Sequence, residues 1–110
     1  MDLNGYQEKI RAYVDYPEEI GPFTLIMNLQ EDVGILAAKL NNVLINNKGA
    51  FTEEEATKSS ISIGDILYDI CQIASELKMP MNDIITLNIM KHDIKKKREL
   101  EEKEKAKNDV

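Results

Sequence analysis

The chain has 110 residues and a formal charge of −6, with 20 acidic against 14 basic side chains. That length fits one domain, and the acidic balance argues against non-specific nucleic-acid binding, which needs basic surface to displace counterions. Cys71 is the only cysteine, which excludes an intrachain disulfide or a cysteine metal cluster, and no apolar run approaches the ~20 residues of a membrane span.

The opening Met1-Asp2-Leu3-Asn4-Gly5 lacks the basic and apolar regions of a secretory signal. With the lone thiol in an apolar stretch, this predicts a cytoplasmic protein with neither a membrane nor a nucleic acid as partner. There is no Trp, and only two Phe, four Tyr, five Gly and three Pro. Strands favour aromatic and β-branched residues between frequent turn signals, so the fold class predicted is all-α.

Leu3, Tyr6, Ile10, Tyr13 and Val14 recur at helical spacing and predict a short first helix. It should end near Asp15-Tyr16, because Pro17 disfavours the α region in the residue before it. Tyr16 to Gly21 reads as a loop, and Pro22 suits the first turn of the next helix, where no amide donor is needed. Leu25, Leu29, Val33, Leu36, Leu40 and Val43 then form a long core-facing stripe. Gly49, after Asn46-Asn47-Lys48, suits the left-handed conformation that ends a helix.

Thr52-Glu53-Glu54-Glu55 is a capping box, in which the hydroxyl accepts from a free amide and Glu55 reaches back. The helix it opens carries Ile63, Leu67, Ile70, Ala74 and Leu77. Gly64 inside that run costs about 1 kcal/mol relative to Ala, which points to close packing of a neighbouring backbone or to a break near Ser59-Ser60. Met79-Pro80-Met81-Asn82 is a turn. Ile84, Leu87, Met90 or Lys91, and Ile94 should face inward on the last helix. From Lys95 onward the chain is nearly all charged, a solvated, fraying extension, so that residues 1–98 form the domain and 99–110 a tail. Amphipathic helices in a chain this small are expected to form a bundle of four to five helices and to oligomerise through their faces.

One His and one Cys cannot build a His/Cys zinc site, and His92 lies on a charged face between Lys91 and Asp93. Gly34 and Gly64 are isolated and open no phosphate-cradling loop. Carboxylates at helical spacing remain. Asp32 sits beside the core stripe of the second helix. Asp65 and Asp69 are four apart on the third, with Ser62 one turn earlier. Facing one another across two antiparallel helices, such groups can hold Mg²⁺, which takes carboxylate and water oxygens in an octahedron. Carboxylates on a solvated helix face give the same spacing.

Several segments carry a family resemblance: Leu3-Asn4-Gly5-Tyr6-Gln7-Glu8-Lys9, Tyr16-Pro17-Glu18-Glu19, Leu29-Gln30-Glu31-Asp32-Val33-Gly34-Ile35-Leu36, Gly64-Asp65-Ile66-Leu67-Tyr68, Ile73-Ala74-Ser75-Glu76-Leu77 and Leu87-Asn88-Ile89-Met90-Lys91. In this order and spacing the chain resembles, over about residues 1–98, the MazG-like all-α nucleoside-triphosphate pyrophosphohydrolases, in particular the small single-domain bacterial and phage members. The resemblance implies a helical bundle that forms a homodimer or homotetramer. It also implies hydrolysis of a nucleoside triphosphate to monophosphate and pyrophosphate, with Mg²⁺ or Mn²⁺ held by carboxylates in Glu-x-x-Glu and Glu-x-x-Asp motifs.

Carried over by position, those motifs are incomplete. Asp32 stands for the first Glu and Asp65 is the retained Asp, but Ile35 and Ser62 replace the other two carboxylates. Asn88 and Lys91 match the family's Asn-x-x-Lys and are the implied nucleotide-binding pair. No residue is assigned a catalytic role. Two readings follow. In one, the domain has lost catalysis, needs no metal, and acts as a nucleotide-binding or assembly module. In the other, it is an active Mg²⁺-dependent pyrophosphohydrolase in which Asp69 or Glu31 replaces a lost ligand. Glu31 is rotated about 100° from Asp32 around the helix, whereas Asp69 is only about 40° from Asp65.

Overall fold

The computed structural model describes residues 1–109, and among these every regular element is a helix. Asp2 opens α1 (Leu3–Ile10) by accepting the Gly5 amide on Oδ1 at 2.7 Å. The α-helix stops earlier than its apolar spacing predicts and tightens into a 3₁₀ turn at Arg11–Tyr13. The Ile10 carbonyl accepts from Nε2 of Gln72 at 2.7 Å, so a side chain from another helix supplies a partner at this end. Within the expected loop, Glu18–Ile20 form a second 3₁₀ turn. The ring of Tyr16 lies so close over Gly21 that a β-carbon there would run into it.

Helix α2 (Gly21–Asn47) has Pro22 in its first turn, as expected, and spans 27 residues, about 40 Å. It ends with Lys48 and Gly49 both left-handed, at φ of 54° and 83°. Thr52 then caps α3 (Glu53–Glu76), its Oγ1 accepting the Glu55 amide at 3.2 Å. Only this half of the predicted capping box forms. Glu55 instead turns to α2, where its Oε1 accepts from Asn47 Nδ2 at 2.6 Å. Helix α3 runs unbroken past Ser59-Ser60, and nothing lies within 4 Å of a β-carbon built on Gly64. Within the chain, therefore, neither a break nor a close backbone neighbour accounts for that glycine.

Helix α4 (Met81–Asn108) is continuous, so the charged tail is helical rather than frayed up to Asn108. Its start is tied to α1 by Gln7, which donates from Nε2 to the Met79 carbonyl and accepts the Met81 amide on Oε1, each at 2.8 Å.

Helices α2 and α3 form an antiparallel hairpin, and α1 packs against α3 and the start of α4. The core at that junction comprises Ile10, Cys71, Ala74 and Met81, ringed by Leu3, Tyr6, Leu67, Tyr68 and Ile84. Arg11 clamps the N-terminal segment to α3 through Gln72 Oε1 at 2.9 Å and Glu76 Oε1 at 3.3 Å. The Tyr16 hydroxyl, and then Arg11, hold the Glu76 carboxyl below its ordinary range.

Much of the expected apolar stripe is not covered. Leu25 and Val43 of α2 are buried, but Val33 and Leu40 are exposed, as are Leu87, Met90 and Ile94 of α4, which were expected to face inward. The reason is geometric: α4 leaves the body after its first turns and meets no further helix. The radius of gyration is 19.1 Å, against about 13 Å for a compact domain of some 100 residues. No helix among the described residues is long and apolar enough to cross a membrane.

Candidate functional site

Three side-chain pairings mark the seam between α2 and α3. Asp32 meets Asp69, Lys39 meets Ser62, and Asn47 meets Glu55. The α2 members are seven and eight residues apart, two helical turns, and the α3 members seven apart, so an antiparallel pair keeps them in register. The seam is therefore polar along much of its length, where a self-sufficient hairpin would be apolar.

At its Asp32 end the seam opens into a groove of about 280 Å³ lined by Asn28, Glu31, Asp32, Asp65, Tyr68 and Asp69. Glu31, Asp32, Asp65 and Asp69 are the four of the six lining residues named as candidates from the sequence. Asp69 is 3% exposed. Burial, followed by hydrogen bonding and repulsion from Asp32 and then repulsion from Asp65, raises its carboxyl from 3.8 to about 7. The contact between Asp69 and Asp32 is a carboxyl–carboxylate one, which requires that one of them hold a proton. The rest of the protein offers no donor to Oδ2 of Asp69, which is shielded from solvent and unpartnered.

Asp65 affects Asp69 through its charge alone, and Glu31 is an exposed residue at the rim. Among the described residues, no three His, Cys, Asp or Glu side chains converge to hold a metal ion.

At Ile35 and Ser62, where the resemblance implies carboxylates, the surroundings differ. Ile35 is 43% exposed and does not pack into the protein's own core. Ser62 is 2% exposed, and its Oγ accepts from Lys39 Nζ at 2.6 Å. Lys39 also donates to the Lys58 carbonyl at 3.1 Å. An ammonium group therefore stands in the same row of the seam as Asp32 and Asp69. The sequence held a signal for Lys39, since it lies two turns after Asp32 on the same stripe. Asn88 and Lys91 are exposed on α4 and line no part of the groove. The structure does not bring them to the aspartates.

Beyond Lys39 the seam holds a second pocket of about 270 Å³, toward the α2–α3 loop, lined by Lys39, Asn42, Val43, Asn46, Asn47, Glu55, Lys58 and Ser59. Sequence reasoning missed it, because it read Glu55 as a cap and the asparagines as a helix end.

The opposite flank of the hairpin is apolar. Ile26, Val33 and Leu40 of α2 recur every seven residues, about 100° from the seam, and Ile63, Ile70 and Leu77 of α3 do the same. In an antiparallel pair both stripes turn to one side, and all six residues are at least 40% exposed.

Compared with known proteins, the chain matches no protein-family model, no curated protein and no solved structure.

Proposed function

We propose that this chain is a MazG-like helical domain that assembles with copies of itself and binds a nucleotide without hydrolysing it. The observation that carries the loss of catalysis is the Lys39–Ser62 hydrogen bond. A buried serine and a lysine cation in the carboxylate row oppose the two divalent ions that pyrophosphate release requires, and Ile35 supplies no ligand one turn from Asp32. Self-assembly is supported by the heptad-spaced apolar flank and the large radius of gyration. A homodimer or homotetramer through that flank would cover Val33, Leu40, Ile63 and Ile70.

Asp65, the one motif residue kept, lines the groove with Asp32 and Asp69, and these three would hold a single Mg²⁺ or Mn²⁺ ion brought by the nucleotide phosphates. The active alternative, with Asp69 as the replacement ligand, is favoured by that residue's burial beside Asp32 and by its unpartnered Oδ2.

Light scattering and calorimetry test the two parts. The expected results are a mass of two or four chains and saturable binding of a nucleoside triphosphate in the presence of Mg²⁺, weakened in Asp65→Asn. A monomer mass refutes the assembly. Absence of binding by any nucleoside triphosphate refutes the nucleotide reading.

A further inference from the structure

The pocket at the loop end of the seam holds groups that neither the fold nor the carboxylate groove uses. Glu55 is shielded by the hairpin, and its Oε2 has no donor. That orphan has a cause: the side chain has left its capping role at Thr52 for Asn47, which satisfies Oε1 alone. A buried carboxylate oxygen without a partner costs stability, so the site suits a ligand bringing N–H groups. Around it stand the amides of Asn42, Asn46 and Asn47, and the buried Val43 gives the pocket an apolar patch. The volume of about 270 Å³ is just below the usual range for drug-sized ligands, which suits one heterocycle rather than a larger molecule.

We propose that this pocket is a seat for a nucleobase with adjacent ring N–H and exocyclic amine donors, the guanine edge, read by Glu55 and by the amides of Asn42 and Asn46. A carboxylate has about four acceptor sites, and here one is taken by Asn47, so both guanine donors can be accepted. The asparagine amides carry donors for the base's O6 and N7. Val43 packs against the ring. Lys39 stands at the boundary between the pocket and Asp32, about 10 Å along the α2 axis from that aspartate. A base held here directs its phosphates toward Lys39 and the aspartates. The proposal rests on the nucleotide-binding reading, and it adds where the base sits and which base is preferred.

The test is titration of the full chain with guanosine, which has no phosphates, followed by amide chemical shifts in metal-free buffer, with inosine as the probe lacking the exocyclic amine. Guanosine should shift the amides of Asn42 to Asn47 and of Glu55, and inosine should bind about tenfold or more weakly. The near-isosteric Glu55→Gln variant should lose a similar factor. Asn42→Leu, at an exposed helix position, should do likewise without disturbing the fold.

Equal guanosine affinity in Glu55→Gln and the unaltered chain, or shifts confined to residues outside the pocket, would overturn the base seat. If guanosine does not bind but a nucleoside triphosphate with Mg²⁺ does, the base seat fails and the nucleotide reading stands. If neither binds, both fail.

Discussion

Replacing Asp69 by Asn removes an ionisable group from the most buried part of the carboxylate groove while keeping its shape. The folded protein raises this carboxyl from 3.8 to about 7, so between those pH values the folded state binds more protons than the unfolded chain. The stability linked to Asp69 is therefore complete below about pH 4 and is lost as pH rises to about 7. A shift of that size corresponds to about 4 kcal/mol. Water entering the open groove and proton sharing with Asp32 reduce it, leaving about 2–4 kcal/mol. Asp69→Asn should match the unaltered chain at about pH 3.5 and exceed it by that amount at pH 8. Urea unfolding followed by circular dichroism, at fixed protein concentration and without divalent metal, measures the difference. With slopes of about 1–3 kcal/mol per molar urea, the midpoint at pH 8 should rise by roughly 1–4 M. Identical pH profiles for the two proteins, or a variant less stable at pH 8, would refute the buried-pair argument.

Gln72 is fully buried and joins Arg11 to the Ile10 carbonyl. Gln72→Leu strands both partners and should lower stability by about 2–3 kcal/mol in urea unfolding, whereas an exposed substitution such as Glu102→Gln should change little. Val33→Lys combined with Ile70→Lys puts charge on the apolar flank of the hairpin, and light scattering should report a shift toward the monomer mass. Restoring the motif with Ile35→Glu, Ser62→Glu and Lys39→Ala should create tighter Mg²⁺ binding than in the unaltered chain. Calorimetry checks this, and no gain in affinity would refute the argument that Ile35, Ser62 and Lys39 oppose a second metal ion.

Helix starts were legible where a local rule acts alone, as with Pro22 in α2 and Thr52 ahead of α3. Asp32, Asp65 and Asp69 could be brought together from spacing because two antiparallel helices preserve a seven-residue register. Three features escaped for a shared reason, namely that a side chain from another helix decides them. The Ile10 end of α1 is met by Gln72, the Glu55 half of the capping box is diverted by Asn47, and Ser62 is occupied by Lys39. Periodicity identified the apolar residues of α2 and α4 but not their partners. A stripe such as Ile26, Val33 and Leu40 reads the same whether it faces its own chain or a second copy.

The central claim is that the domain retains a nucleotide groove without turnover. Purified chain incubated with a panel of nucleoside and deoxynucleoside triphosphates and Mg²⁺ or Mn²⁺, with monophosphate and pyrophosphate quantified beside Asp65→Asn, tests it directly. We expect no release above that of the Asp65→Asn control for any nucleotide. Release that Asp65→Asn abolishes would contradict the claim and establish a pyrophosphohydrolase working from a rearranged carboxylate set.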